Sequence, residues 1–146
     1  MKDIYLDVDG VLVRDNLENF GEPALHLPWF FSILGNGQAD GLFRVYWLTT
    51  HCMNGDDTQV MRFLEKKAEP HTFELIKRMK IQPTSWTELK TEAIDFTQDF
   101  LWFDDDVSLK EREVLRTHGA EDKLIEIDLQ KDKHQLQTII HSGLLD

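Results

Sequence analysis

Residues 4–12 read Ile4-Tyr5-Leu6-Asp7-Val8-Asp9-Gly10-Val11-Leu12. Three apolar, β-prone residues run straight into two aspartates and a glycine, the pattern of a buried strand that stops at a sharp turn. Asp7 and Asp9 lie two positions apart, so an extended backbone sends both carboxylates to one side. Gly10 permits an abrupt exit and lets the main chain approach a ligand closely. Working outward, the same grammar recurs. Phe43 to Leu48 reads as a second strand halted at Thr49-Thr50-His51, Phe100 to Phe103 as a third halted at Asp104-Asp105-Asp106, and Leu124 to Ile127 as a fourth. Helices are expected between them. The first covers 28–35, with Pro28 near its start and Gly35 at its end, followed by a Gly35-Asn36-Gly37 loop. The second runs from Asp56, where Asp56-x-x-Gln59 has capping-box spacing, to about Ala68, and the third covers 71–80. A Ser85-x-x-Glu88 spacing opens a helix to about Thr97, and further helices are expected over 108–118, closed by Gly119, and over 131–142. Residues 12–27 are mixed, with turn formers at Asp15-Asn16, Gly21 and Pro23.

Strands separated by helices need crossover connections, which predicts a mostly parallel sheet with helices on both faces: an α/β, Rossmann-like three-layer sandwich. In such sheets ligands bind beyond the carboxyl ends of the strands. The residues just past the first three strands would therefore share one edge, and two of those three positions are clusters of carboxylates.

With 16 Lys+Arg against 27 Asp+Glu, the net charge is −11, at 41% hydrophobic and 29% charged residues. That length and composition suit one globular domain spanning 1–146. The acidic balance disfavours loose binding to nucleic acid or to an anionic membrane, which runs on clustered Lys and Arg. No apolar run approaches the about 18 residues of a membrane span; Leu25 to Leu34 is broken by His26, Pro28 and Ser32. The start, Met1-Lys2-Asp3-Ile4, places an acid where a signal peptide begins its apolar stretch, and the lone Cys52 excludes an internal disulfide, so a cytoplasmic protein is expected.

Carboxylates converging on one cleft repel each other, and a hard cation such as Mg²⁺ is their natural neutraliser. Beside such a cation Asp7 is placed to act as a nucleophile on phosphorus. A transferring phosphoryl group spreads negative charge over its oxygens, and Thr49 and Lys90 are residue types that receive it. Taken alone, Asp-x-Asp-Gly also suits a plain turn, and Asp104-Asp105-Asp106 a helix N-cap with first-turn acids. Their conjunction at one edge separates the two readings.

The order of these elements resembles the haloacid dehalogenase-like superfamily, most of whose members are Mg²⁺-dependent phosphatases. Asp7-Val8-Asp9-Gly10-Val11-Leu12 behind Ile4-Tyr5-Leu6 matches that family's hallmark, the strand ending in Thr49 its second motif, Lys90 its third, and Leu101-Trp102-Phe103-Asp104-Asp105 its fourth. The resemblance implies that Asp7 forms an aspartyl-phosphate and that Asp9 protonates the leaving group and then activates water. It implies Mg²⁺ held by Asp7, the Asp9 main-chain carbonyl and Asp104, with Asp105 supporting that shell or Lys90, while the third acid, Asp106, departs from the family's plain pair and leaves the direct ligand open by one position. Gly10, Thr50 and His51 are candidate substrate contacts. A response-regulator receiver also has paired acids, a Thr and a Lys, but places its acid pair near the N-terminus and its phosphoacceptor on a middle strand.

Asp9 and Thr49 are 40 positions apart and Thr49 and Lys90 are 41 apart, too few in either interval for a folded cap domain. An open site goes, in that superfamily, with larger phosphorylated substrates such as phosphoprotein or nucleic-acid ends. Three readings follow: a general phosphomonoesterase, a 5′- or 3′-end nucleic-acid phosphatase, or a binding protein of the same fold without turnover. The second needs a basic patch, and Arg62, Lys66, Lys67, Lys77, Arg78 and Lys80 form the one dense basic region. Trp86, in the loop before Lys90, is either local packing or a stacking surface.

Overall fold

The computed structural model describes residues 1–15 and 21–146. The expected turn former Asn16 lies outside them. The first strand, β1 (Lys2–Leu6), is buried from Asp3 onward. β2 (Phe43–Trp47) alternates buried and half-buried residues, the signature of a strand with one face less covered than the other. β3 (Phe100–Asp104) is buried along its whole length, and β4 (Leu124–Glu126) is short. All pair in parallel, in the order β2-β1-β3-β4. The helices are α1 (Leu27–Ala39), α2 (Thr58–Lys67), α3 (Pro70–Met79), α4 (Leu109–Thr117) and α5 (Gln135–His141).

The alternation of side chains along each strand divides the core in two. Ile4, Leu6, Val45, Trp47, Leu101 and Phe103 face α1, α2, α3 and α5, while Tyr5, Phe100 and Trp102 face α4 and the 84–96 segment. The architecture is α/β, with an open all-parallel sheet between two layers, compatible with a Rossmann-like fold. No helix among the described residues is long and apolar enough to cross a membrane.

Four expectations give way. The Gly35-Asn36-Gly37 stretch is not a loop but the middle of α1. A Cβ at Gly37 would lie 2.2 Å from the Phe43 ring, so this glycine brings α1 against β2 at no break in the helix. The helix expected from Ser85 to Thr97 is absent apart from one 3₁₀ turn, Lys90–Ala93. Its backbone amides are taken by side chains: the Glu92 carboxylate accepts from the N–H groups of Thr87, Glu88 and Leu89. Asp56 does not cap α2 through Gln59; it accepts from Thr58 N and Oγ1 in a turn before the helix. The final helix is also shorter than 131–142, beginning at Gln135.

β1 sits between β2 and β3, so the chain leaves it to one side and returns later on the other. A doubly wound sheet opens its ligand crevice at that reversal, beyond the carboxyl ends of the two strands. Asp7 and Asp104 stand there.

Candidate functional site

Asp7 N donates to Phe103 O at 3.0 Å, which extends the β1–β3 ladder one step past Leu6 and brings Asp7 level with the end of β3. Its Oδ1 accepts from Val8 N at 2.8 Å, and its Oδ2 lies 3.4 Å from Lys90 Nζ. The same ammonium donates to Asp104 Oδ2 at 2.6 Å, while Asp104 Oδ1 accepts from Asp106 N at 3.0 Å. Asp104 is fully buried as the last residue of β3, so it is no helix cap; Ser108 caps α4 by accepting from Glu111 N. One oxygen each from Asp7, Asp104 and Asp105 lies within 4.8 Å of the others. Asp106 is exposed and stands outside the cluster, contributing only its backbone N–H.

Gly10 closes the site from below. Its φ is +80°, and a Cβ there would come 2.0 Å from Asp105 Oδ2. Any side chain at this position would meet both left-handed strain and a carboxylate.

The charges do not balance. Burial, and next the Asp104 charge, push the Asp7 carboxyl well above the usual carboxylate range, with Lys90 opposing. Burial raises Asp105 to about 6, against the hydrogen bond with Asp7, which lowers it. Burial works against the Lys90 ammonium, yet Asp7 and Asp104 outweigh it and hold its pKa above the ordinary lysine value. Three carboxylates cluster around a site whose one ammonium pairs with two of them, an arrangement whose residual negative charge suits a hard divalent cation with oxygen ligands.

Lys90 owes its position to a residue that the sequence motifs did not single out. Glu111, buried on α4, accepts from Lys90 N at 2.6 Å and Thr91 N at 3.0 Å. Nothing in the local sequence separates Glu111 from the other acids of a charged helix. The only signal is its place three residues after Ser108, which turns it into the sheet-facing layer.

The remaining candidates divide. Thr49 is buried beyond the end of β2, where its Oγ1 accepts from His51 N at 3.3 Å and its own hydroxyl is left to donate. His51 Nε2 lies 2.8 Å from Asp9 Oδ2, and its ring stacks on Phe63 at 4.9 Å. The Asp9 side chain is half exposed and belongs to this pair rather than to the carboxylate cluster. Thr50 is exposed and makes no side-chain hydrogen bond among the described residues. Trp86 is buried among Tyr5, Ile94 and Trp102 and offers no stacking surface. In the basic region, Lys77 pairs with Glu74, while Arg62 lines a cavity beside His51.

Asp7, Asp104, Asp105 and Lys90 thus meet at the crevice between β1 and β3, with Asp9, His51 and Thr49 on its β2 side. No protein-family model matches the chain, nor does any curated protein or solved structure, so the chemistry of this edge rests on its own geometry.

Proposed function

We propose that the chain is a haloacid dehalogenase-like, Mg²⁺-dependent phosphomonoester hydrolase. The observation that carries this reading is the convergence of the Asp7, Asp104 and Asp105 carboxylates, with Lys90 bridging Asp7 and Asp104, at the point where the strand order reverses. A binding protein without turnover has no need of a second acid such as Asp9, held by a histidine beside the cluster.

Asp7, Asp104, Asp105 and the Asp9 main-chain carbonyl are the groups to hold Mg²⁺, whose contribution when bound is to neutralise charge on the phosphoryl oxygens. The Asp7 carboxylate attacks phosphorus and forms an aspartyl-phosphate as the ester P–O bond breaks. Asp9 delivers its proton to the departing alkoxide. It then takes a proton from water, whose oxygen attacks the phosphorus and releases inorganic phosphate and the free Asp7 carboxylate. Lys90 and the Thr49 hydroxyl donate to the phosphoryl oxygens throughout. The Asp9–His51 contact fixes the carboxyl group that handles both proton transfers.

Hydrolysis of 4-nitrophenyl phosphate should require Mg²⁺ and stop on chelation. Turnover that survives the chelator, or none on any phosphate ester tested, overturns the proposal. A second expected result needs no turnover. Below about pH 4 the Asp105 carboxyl is protonated in folded and unfolded chains alike. As pH rises through about 6 its ionisation costs the fold stability, because the folded value is the raised one. The Asp7 penalty has the same sign. Added Mg²⁺ should therefore raise Tm strongly at pH 7.5 and hardly at pH 4.5, as read by calorimetry. A pH-independent shift would show that these carboxylates are not its ligands.

A further inference from the structure

Five consecutive backbone N–H groups, from Thr87 to Thr91, end on carboxylates rather than on carbonyls. Glu92 accepts those of Thr87, Glu88 and Leu89, and Glu111 those of Lys90 and Thr91. Successive main-chain donors of this kind make concavities for anions, and here the anions belong to the chain itself. The two acceptors differ in kind. Glu92 is exposed and lies in the same turn, so it shapes the segment locally. Glu111 is 7% exposed and reaches the segment from α4, 20 positions beyond Thr91.

Its own helix has a local use for this carboxylate. Ser108-x-x-Glu111 has capping-box spacing, and Ser108 performs its half by accepting from Glu111 N at 3.3 Å. The reciprocal half would return the Glu111 carboxylate to Ser108 N. Instead one oxygen goes to Lys90 N at 2.6 Å and the other to Thr91 N at 3.0 Å. No ion pair neutralises Glu111 among the described residues. The two amides hold its charge, together with its place in the first turn of α4, where the helix dipole favours an anion. Burying a carboxylate without a cation is costly, and what this one fixes is the backbone of Lys90. Lys90 opens a 3₁₀ turn of four residues, so no sheet ladder or α-helix fixes it otherwise. From that point its side chain reaches Asp104 Oδ2 at 2.6 Å and Asp7 Oδ2 at 3.4 Å.

Resting on the phosphatase reading, we propose that Glu111 is a positioning residue of the reaction. By holding the Lys90 and Thr91 amides it seats the Lys90 ammonium between Asp7 and Asp104. There the ammonium meets the phosphoryl oxygens and competes with Mg²⁺ for the same two carboxylates. A glutamate that served only α4 would influence neither process.

The test is Glu111→Gln, which keeps the size of the side chain but turns its N–H₂ toward one of the two amides, donor against donor. In metal-free wild type the Lys90 ammonium should give a protected ¹H–¹⁵N resonance, through its bonds to Asp7 and Asp104, and the variant should lose it. With 4-nitrophenyl phosphate kcat/KM should fall about tenfold to a hundredfold, the scale of a catalytic group displaced by about 1 Å. Affinity for Mg²⁺ should rise severalfold, because the ammonium no longer occupies the carboxylates. Glu111→Asp, still anionic but one methylene shorter, should fall between the two. Lys90→Met keeps the backbone N–H and removes only the ammonium, so in that background Glu111→Gln should leave Mg²⁺ affinity unchanged. An equal change with and without the ammonium marks a structural role and overturns the proposal. So does a Lys90 resonance that is absent from the wild type or unaltered in the variant. If Glu111→Gln does not fold, Glu111→Asp carries the same comparisons. A wild type that neither turns over nor binds Mg²⁺ sinks the phosphatase reading, and the resonance still decides whether Glu111 seats Lys90.

Discussion

Replacing Asp7 by asparagine should abolish turnover and at the same time make the metal-free protein more stable. The kinetic half follows from the proposed chemistry: an amide oxygen does not attack phosphorus, and loss of a covalent nucleophile removes at least about 10³-fold of rate. The stability half follows from the electrostatics. Asp7 ionises in the unfolded chain near pH 4 but only well above that in the fold, because burial and Asp104 disfavour its charge. Below pH 4 both states hold the proton and Asp7 is neutral in its effect. Above its folded pKa the penalty is complete, and the amide removes it. The substitution keeps an oxygen to accept from Val8 N, and it leaves Lys90 and Asp104 paired one to one. In chelator at pH 7.5 the variant should melt a few degrees above the wild type, and the gap should close toward pH 4. With Mg²⁺ the gap should narrow or reverse, because the variant has lost a ligand charge. A variant that keeps its activity sinks the nucleophile assignment. One that melts lower in chelator contradicts the charge imbalance. The pairing of lost activity with gained stability is what separates a nucleophile from a merely structural aspartate.

How far this edge was legible in the sequence depends on which interactions are local. Ile4-Tyr5-Leu6 and Leu101-Trp102-Phe103 are continuous apolar runs that burial on both faces of a parallel sheet demands, and the acids after them mark the carboxyl edge. Asp7, Asp104 and Lys90 could therefore be named before any coordinates. Long-range chemistry was not legible. Glu111 reaches Lys90 from another helix, and together with Glu92 it draws off the amides that a helix over 85–97 would have used. The Gly37–Phe43 contact likewise turns an apparent loop signal into a packing device. The acidic run Asp104-Asp105-Asp106 left the ligand choice open because adjacent strand residues alternate sides. The turn after β3 folds Asp105 onto Gly10 and Asp106 outward. His51 was readable only as a polar residue after a strand; its bond to Asp9 spans 42 positions.

Lys90→Met should produce the largest loss of stability of any single change at this edge. Methionine keeps the length and packing of the side chain and removes only the ammonium, so the comparison isolates charge. Asp104 is fully buried and Asp7 nearly so, and the ammonium that reaches both would be gone. Breaking a buried ion pair by deleting one partner costs about 3–5 kcal/mol, because the surviving charge is stranded away from water. For a chain of this size that corresponds to a Tm lower by about 10 °C at pH 7.5. In the wild type the stability from Lys90 is present throughout the range below its unfolded pKa and is lost only as pH rises through the raised folded value. The defect in the variant should shrink on acidification instead, as Asp7 takes up a proton and relieves the repulsion. Mg²⁺ should raise the Tm of the variant by more than that of the wild type, since the carboxylates no longer share an internal cation. Activity should not return with that rescue, because the proposed role of Lys90 includes donation to the phosphoryl oxygens. A Tm equal to wild type in chelator would mean that the Asp7–Lys90–Asp104 contacts do not hold in solution. Recovery of full turnover on adding Mg²⁺ would reduce Lys90 to a placeholder for the metal and remove it from the catalytic set.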